Sequence, residues 1–291
     1  MTFLLLFCIP LFGAVCRMLQ KGYLLRSSET EHSKNIYMMV TSFCAMFFFA
    51  SMAGFHLSIN LRTFVYAAVL ALLSIASNVL SLNAMERMDV ATVGVFSGAG
   101  AMVFPFLFGI LFLNEKVSVF KVISFFLLLF VVAKPMFCKK QEEKGNWKGY
   151  LFCLCLFFEC GVSAMFGKIY AMAQNVAPNQ VLCFWANVLM LPFVLFLIFS
   201  TERYSFIHSA KQLKWTAYLF AALSIAVSNG STLLELFILK SVNITLYTLL
   251  KNPILLILTA FLSRICYREK ITGETALNIG LSIVALILNG L

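Results

Sequence analysis

Ten apolar segments, each about as long as a membrane-spanning helix, follow one another along the chain. They are Phe3–Leu19, Ile36–Ser58, Phe64–Ala84, Val90–Phe112, Val119–Phe137, Gly149–Met172, Val181–Phe199, Trp215–Leu239, Ile244–Ile265 and Ala276–Asn289. A helix needs about 20 apolar residues to cross a bilayer, so these segments would occupy most of the 291 residues. The longest polar connectors, Lys21–Asn35, Lys139–Lys148 and Ser200–Lys214, are too short to fold alone. We therefore predict an all-α integral membrane protein with ten transmembrane helices.

Composition supports this class and excludes others. Apolar residues make up 62% of the chain and charged residues 12%, about half the share usual in soluble domains. The net charge of +10 comes mainly from short connectors without interleaved aromatics, so we expect contact with lipid headgroups and no nucleic-acid partner. The nine cysteines lie almost entirely in apolar segments and lack metal-ligand spacing. No metal or other cofactor is expected.

The two halves of the sequence repeat each other weakly. An offset of 154 residues, such as 74 to 228, places Ser74 on Ser228, Ser77 on Ser231, Ser81 on Glu235, Asp89 on Asn243 and Glu115 on Glu269. An offset of 147, such as 23 to 170, places Lys21 and Tyr23 on Lys168 and Tyr170. Because each half has five spans, the second half would enter the membrane in the opposite orientation. We predict inverted five-helix repeats over residues 1–138 and 149–291, joined by the polar connector 139–148, an architecture typical of alternating-access transporters.

Short motifs near the predicted fourth, fifth, ninth and tenth spans carry a family resemblance. The first half has Asp89-Val-Ala-Thr-Val-Gly, Pro105 and Leu-Asn-Glu115-Lys-Val-Ser, and the second half has Asn243-Ile-Thr, Pro253 and Arg-Glu269-Lys-Ile-Thr-Gly. With the ten-span plan, they resemble the drug/metabolite transporter superfamily of the EamA type. The resemblance implies a secondary carrier that moves small metabolites, amino acids, drugs, sugars or sugar phosphates through a cavity between the halves. The first span departs from the family pattern because it lacks the common Trp-Gly element.

The sixth span contains the most conspicuous candidate for a binding site. Glu159 lies about ten residues into this span, and Ser163 and Tyr170 share its helical face. Ionisable residues within a span rarely face lipid. Glu159 is therefore a candidate for proton coupling or for binding a cationic substrate, and an interhelical hydrogen bond is the structural alternative.

The other candidates lie on the third, seventh, eighth and ninth spans. They are Ser74, Asn78, Ser81, Trp185, Asn187, Ser228, Asn229, Ser231, Glu235, Lys251 and Asn252. The serine stripes would line one cavity or would simply allow close helix packing. Lys251 would pair with one of the two acids, Glu159 or Glu235, or would hold an anionic substrate. A cavity with both signs of charge fits a zwitterion, whereas an internal salt bridge would remove that preference.

Two further motifs have structural interpretations. Gly94-x-x-x-Gly98 predicts a close helix–helix contact. Glu115 and Glu269 are expected to open helices, where a carboxylate complements the positive end of the helix dipole.

We predict a secondary active transporter for a small polar or amphipathic metabolite, such as an amino acid-like compound, an amine or a drug, with H+ as the coupling ion. The sequence contains no nucleophile elbow, P-loop or zinc-binding helix, so we do not expect an enzyme. An integral-membrane enzyme with a buried acid and a non-transporting scaffold are the alternatives. The expected partners are the substrate, the proton and the lipid bilayer, and the sequence leaves the oligomeric state open.

We expect a multi-pass protein of a bacterial plasma membrane, for which two sequence cues give opposite orientations. The odd-numbered connectors hold 15 Lys and Arg residues and the even-numbered ones hold five, which would place both termini outside the cell. The family resemblance implies that both termini are inside.

Overall fold

The fold is all-α, as predicted. A computed structural model of the chain describes residues 2–27, 32–113, 118–137, 147–201, 203–238, 244–269 and 273–289. All regular structure in these ranges is α-helical. The helices are α1 (Thr2–Ser27), α2 (Ser33–Met52), α3 (Leu61–Arg87), α4 (Val90–Leu113), α5 (Val119–Phe137), α6 (Trp147–Met172), α7 (Asn179–Thr201), α8 (Arg203–Gln212), α9 (Trp215–Ile238), α10 (Ile244–Tyr267) and α11 (Gly273–Asn289).

Within the described ranges, five helices are long and apolar enough to cross a membrane. They are α2, α3 and the stretches Val90–Phe108 of α4, Trp147–Gly167 of α6 and Asn179–Ile198 of α7. Large apolar side chains also cover the outside of the bundle: Phe47, Phe126 and Phe196 are 68%, 62% and 69% exposed. An apolar exterior around an apolar interior is consistent with a membrane protein, because water would disfavour such a surface.

The helix boundaries correct the sequence prediction in several places. Helix α1 continues beyond Leu19 to Ser27, into the predicted connector Lys21–Asn35. The second helix ends at Met52 rather than Ser58, because Gly54 and Phe55 adopt left-handed backbone conformations with φ of +58° and +60°. Left-handed residues terminate a helix by satisfying its last carbonyls from outside the helical path. A further correction is α8, a short polar helix within the connector Ser200–Lys214, for which a loop is expected.

Charged side chains define one end of the bundle, which we call the charged end. Lys21 at the end of α1 forms an ion pair with Glu269 at 3.7 Å, and Lys34 at the start of α2 forms one with Glu86 at 2.6 Å. Asp89 lies in the same region, between α3 and α4. These contacts bring together the start or end of α1, α2, α3, α4 and α10.

The other end of the bundle, which we call the opposite end, is held by uncharged acceptors. The Asn60 side chain donates to the Asn175 carbonyl at 2.6 Å, and Arg62 donates to the Gln174 carbonyl at 3.3 Å. Trp185 donates its indole N–H to the Leu57 carbonyl at 3.0 Å. The connectors 53–60 and 173–178 therefore meet at this end and join the first half of the chain to the second.

Helix α4 packs closely on α6, and a glycine makes this approach possible. A Cβ atom added at Gly100 would lie 2.0 Å from the Phe157 carbonyl oxygen. Because the obstructing atom belongs to backbone, no side-chain rotation can relieve the overlap. The close packing of these two helices therefore depends on Gly100.

We predict that Gly100→Ala destabilises the protein by about 1–3 kcal/mol, because the added methyl group forces α4 away from α6. Gly280→Ala is the matched control, since no described atom lies within 4 Å of the added Cβ; it should be neutral or stabilise by up to about 1 kcal/mol. Unfolding of both purified variants in detergent measures the difference. Equal unfolding curves for the two variants would contradict the packing described here.

Candidate functional site

A cavity of about 260 Å³ lies in the middle of the bundle, and we call it the central cavity. Ser74, at its wall, is the 14th of the 27 residues of α3, counted from Leu61. The cavity is lined by Cys16, Gln20, Tyr37, Thr41, Ser42, Ala45, Phe49, Ser74, Asn78, Asn187, Met190, Ser224, Ile225, Ser228 and Asn229. Helices α1, α2 and α3 thus face α7 and α9 across it.

Five of the predicted site residues line this cavity: Ser74, Asn78, Asn187, Ser228 and Asn229. The sequence analysis missed the polar wall that α1 and α2 contribute. Its signal was the spacing of polar residues within apolar helices, with Cys16 four residues before Gln20 and Tyr37 four residues before Thr41. Such pairs lie on one helical face.

Three hydroxyl groups of the lining donate their protons to acceptors of the protein itself. Thr41 donates to the Tyr37 carbonyl at 2.9 Å, and Ser224 donates to the Ala221 carbonyl at 2.7 Å. Ser42 donates to the Met190 sulfur at 3.1 Å. The oxygens of these hydroxyls consequently keep lone pairs available as acceptors.

Two asparagines of the lining are fixed in the same way. The Asn78 side-chain amide donates to the Ser74 carbonyl at 2.9 Å, and the Asn187 amide donates to the Cys183 carbonyl at 2.8 Å. Each amide retains a second N–H and a carbonyl oxygen. Hydrogen bonds within their own helices thus hold both side chains while leaving each with donor and acceptor capacity.

A second cavity of about 240 Å³ lies between the central cavity and the opposite end. Its lining includes Ser163, Phe166 and Tyr170 of α6, and Asn179 and Gln180, the first two residues of α7. Among the described residues, Phe49 is the one that lines both cavities. Two of the predicted site residues, Ser163 and Tyr170, therefore belong to this second cavity.

Glu159 is buried one helical turn from the second cavity. Its side chain accepts a hydrogen bond from Ser163, with 2.7 Å between the Ser163 Oγ and Glu159 Oε1 atoms. The other carboxylate oxygen, Oε2, is buried and has no hydrogen-bond partner among the described residues. Glu159 is not among the described residues that line the central cavity, so the structure does not bring it together with the serine stripes.

Arg17 is a partly buried cation that the sequence analysis does not predict as a site residue. Its Nη2 atom lies 3.3 Å from the Ser97 hydroxyl oxygen, and its buried Nη1 atom has no hydrogen-bond partner among the described residues. A Cβ atom added at Gly94 would lie 2.6 Å from Nη1. The absence of a side chain at Gly94 therefore makes room for the guanidinium group.

This arrangement corrects the prediction for Gly94-x-x-x-Gly98. Gly94 faces a side chain, not a neighbouring helix backbone, and no described atom lies within 4 Å of a Cβ added at Gly98. Gly94 thus provides space for Arg17, and neither glycine marks a close contact between helix backbones.

The remaining predicted site residues lie elsewhere. Trp185 bonds to the connector before α3, Ser231 donates to the Ile9 carbonyl at 3.3 Å and so joins α9 to α1, and Ser81 lines neither cavity among the described residues. The side chains of Glu235, Lys251 and Asn252 lie outside the described residues. Helix α10, which carries Lys251 and Asn252, contributes no described residue to either cavity.

At the charged end, Glu269 complements the dipole of a different helix from the one expected. Its Oε2 atom accepts a hydrogen bond from the backbone N–H of Val90, the first residue of α4, at 3.1 Å. Lys21 forms its ion pair with the same carboxylate and also donates to the Met85 carbonyl. Glu269 thereby links the α10–α11 connector to α1 and α4. Glu115, its counterpart in the first half, lies outside the described residues.

Two carboxyl groups share the charged end. Burial raises the pKa of Glu269 above its ordinary value, and the neighbouring Asp89 adds to the shift while Lys21 opposes it. Burial also raises the pKa of Asp89, again against the effect of Lys21. The folded protein therefore holds these protons at a higher pH than the unfolded chain does, and this contribution to stability is lost as the pH rises through the raised pKa values.

We predict that the double substitution Asp89→Asn and Glu269→Gln makes the stability less dependent on pH. Wild-type Tm should fall relative to that of the double variant as the pH rises from about 4.5 toward neutral, because only the wild type must ionise two partly buried acids. Thermal unfolding in detergent at a series of pH values tests this. Glu86→Gln, which removes the partner of Lys34, is the control, and parallel Tm curves for wild type and the double variant would refute the prediction.

Comparison with known proteins gives a likeness of fold. Neither the family models nor the curated protein sequences gave a match. A solved structure described only as "Crystal structure of protein" is similar over 97% of this chain and 96% of its own, with a TM-score of 0.51 and 14% sequence identity. At this level of identity the likeness concerns the arrangement of helices and carries no information about activity.

Proposed function

We propose that this chain is a ten-span secondary transporter of a small polar or amphipathic solute, working by alternating access in a bacterial plasma membrane. The observation that carries the proposal is the central cavity, because polar side chains from both halves of the chain line it in the middle of an apolar bundle. Polar groups are disfavoured inside such a bundle unless they serve an aqueous cavity or one another.

The pattern of helix packing supports two repeats. If α1 corresponds to α6, α2 to α7, α3 to α9, α4 to α10 and α5 to α11, exchanging the halves converts the α1–α9 contact into α6–α3 and the α4–α6 contact into α10–α1. It also converts α2–α9 into α7–α3 and leaves α2–α7 and α5–α11 unchanged. All of these contacts are observed, as expected if two copies of one five-helix unit pack around a pseudo-twofold axis.

The helix directions support an inverted repeat. Helix α1 runs toward the charged end, where Lys21 meets Glu269. Its counterpart α6 begins at that end, where Gly149 lies beside Met88, and runs toward Gln174, which meets Arg62 at the opposite end. The opposite directions of α1 and α6 are those expected of counterpart helices in an inverted repeat, an architecture common among alternating-access transporters.

Equivalent tyrosines lie at the two ends of the cavities. Tyr23, buried near the charged end, donates its hydroxyl to the Ser33 carbonyl and packs on Tyr37 with ring centroids 4.9 Å apart. Tyr170, its counterpart by the offset of 147, donates to the Ala177 carbonyl and packs on Tyr66 at 5.2 Å. In the proposed mechanism these aromatic clusters close the two ends in turn.

Glu159 is the group to which we assign proton coupling. It is buried, it is bonded to Ser163 beside the second cavity, and one of its carboxylate oxygens is unsatisfied among the described residues. A carboxyl group that moves between wet and dry surroundings can couple proton binding to a conformational change, and this is the role that we assign to Glu159.

We predict that Glu159→Gln abolishes the coupling of solute movement to a pH gradient. The test uses proteoliposomes of the full chain that contain a pH-sensitive dye, to which mixtures of amino acids, amines or monosaccharides are added. At least one mixture should move protons in the wild type, and the variant should show no proton movement while it still exchanges that solute. Glu86→Gln is the control with the same chemical change at the charged end, and proton-coupled uptake that persists in Glu159→Gln would remove Glu159 from the mechanism.

A further inference from the structure

The walls of the central cavity contain no residue that is ionised at neutral pH among the described lining. The polar lining consists of amides, hydroxyls and one thiol, contributed by Gln20, Asn78, Asn187 and Asn229, by Tyr37, Thr41, Ser42, Ser74, Ser224 and Ser228, and by Cys16. A charged solute in this cavity would therefore leave water without gaining a described counter-ion at the wall, which is strongly unfavourable in an apolar bundle.

The hydrogen-bond pattern of the walls disfavours anions. The hydroxyl protons of Thr41, Ser42 and Ser224 are already given to protein acceptors, so these groups offer a solute oxygen lone pairs. Tyr37 and Ser224 also bond to each other at 3.0 Å. A carboxylate or phosphate needs several donors that converge on it, whereas these three hydroxyl groups present acceptors.

The positive charge of the partly buried Arg17 disfavours cations in the cavity. Arg17 follows the wall residue Cys16 directly in α1, and its guanidinium group is bonded to Ser97 on α4 rather than paired with an acid. No ion pair joins Arg17 to Glu159 or to any other described acid. In an environment of low dielectric constant, this charge, which has no ion pair among the described residues, repels an ammonium group placed in the cavity. It would attract an anion, and the acceptors that Thr41, Ser42 and Ser224 present to the cavity oppose that attraction.

A solute with uncharged hydroxyl groups avoids the penalties that anions and cations meet in this cavity. Each of its hydroxyl groups can donate one hydrogen bond to the wall and accept another. Asn78 and Asn187 keep one N–H and one carbonyl oxygen each after bonding to their own helix. Ala45, Phe49, Met190 and Ile225 add apolar surface to the same cavity, which suits the C–H faces of a compact ring. A volume of about 260 Å³ corresponds to about nine water molecules at 30 Å³ each, which is enough for a solute of monosaccharide size.

We propose that the central cavity binds an uncharged, hydroxyl-rich solute of monosaccharide size. The assignment rests on the proposed transport function for its biological meaning, while the binding itself is measurable without transport. It narrows the substrate from a small polar metabolite to one class, and it separates the binding site from Glu159, which couples protons outside the central cavity.

The test measures thermal unfolding of the purified full chain in detergent with a panel of hexoses, pentoses and hexitols and with their charged counterparts, hexuronic acids and hexosamines. A ligand that binds only the folded state raises Tm by mass action. At least one neutral solute should raise Tm by about 3 °C or more at saturation, with its charged counterparts giving less than a third of the shift. If no neutral solute raises Tm, or if a charged counterpart raises it as much, the proposal is wrong.

Two substitutions in the cavity sharpen this test. Asn187→Asp places a carboxylate in the wall and should weaken binding of the neutral solute at least tenfold while improving binding of the matching hexosamine. Thr41→Val, which keeps the side-chain shape and removes one acceptor, should weaken binding about threefold to tenfold and applies if Asn187→Asp does not fold. The control is Asn83→Asp, because Asn83 accepts a hydrogen bond from Lys34 outside the described cavity lining and this change should leave the Tm shift unaltered.

The two proposals fail in different experiments. Binding of a neutral solute without flux in proteoliposomes would leave the cavity assignment in place and refute the transporter. Proton-coupled flux of a charged solute, together with no Tm shift from neutral solutes, would support the transporter and refute the assignment of the central cavity to neutral solutes.

Discussion

The structure depends on the free-energy penalty of leaving polar groups unsatisfied in an apolar bundle. Side chains such as Thr41, Asn78 and Asn187 meet this constraint by bonding to carbonyls of their own helices. Such bonds place polar groups on a helix face without requiring a partner on another helix. A polar cavity can then exist in the middle of the bundle, because some of the polar groups in its walls already have hydrogen-bond partners before a solute binds.

Charged side chains lie in other parts of the bundle than the uncharged polar side chains of the central cavity. Ion pairs among the described residues lie at the charged end, where Lys21 and Glu269 tie α1 to the α10–α11 connector. Within the bundle, Arg17 and Glu159 are each bonded to a serine and lie outside the described lining of the central cavity. This separation gives the proposed transporter distinct places for closing one end, for moving a proton and for binding a solute, so that each function can be altered by substitution without removing the others.

Apolar segments predict the helices well because ten runs of lipid-compatible residues leave little choice of local structure. Ser74 and Ser228 were also found from sequence, since the repeat offset pairs them and both line the cavity. What sequence could not supply is the direction in which a polar side chain points around its helix. Arg17 faces α4 whereas the adjacent Cys16 faces the cavity, and Glu269 meets the start of α4 through a tertiary contact with no local signal. The end of α2 at Met52 likewise depends on the left-handed backbone of Gly54 and Phe55 rather than on hydropathy.

Accessibility of Cys16 from the two sides of a membrane tests the central claim most directly, because this thiol lies in the wall of the central cavity. The measurement uses vesicles containing a variant in which the other eight of the nine cysteines are replaced, and a membrane-impermeant thiol reagent is applied from each side in turn. Alternating access predicts that Cys16 reacts from both sides and that a bound neutral solute slows both reactions. A thiol that reacts from one side only, or from neither, would contradict a cavity that opens in turn to the two faces of the membrane.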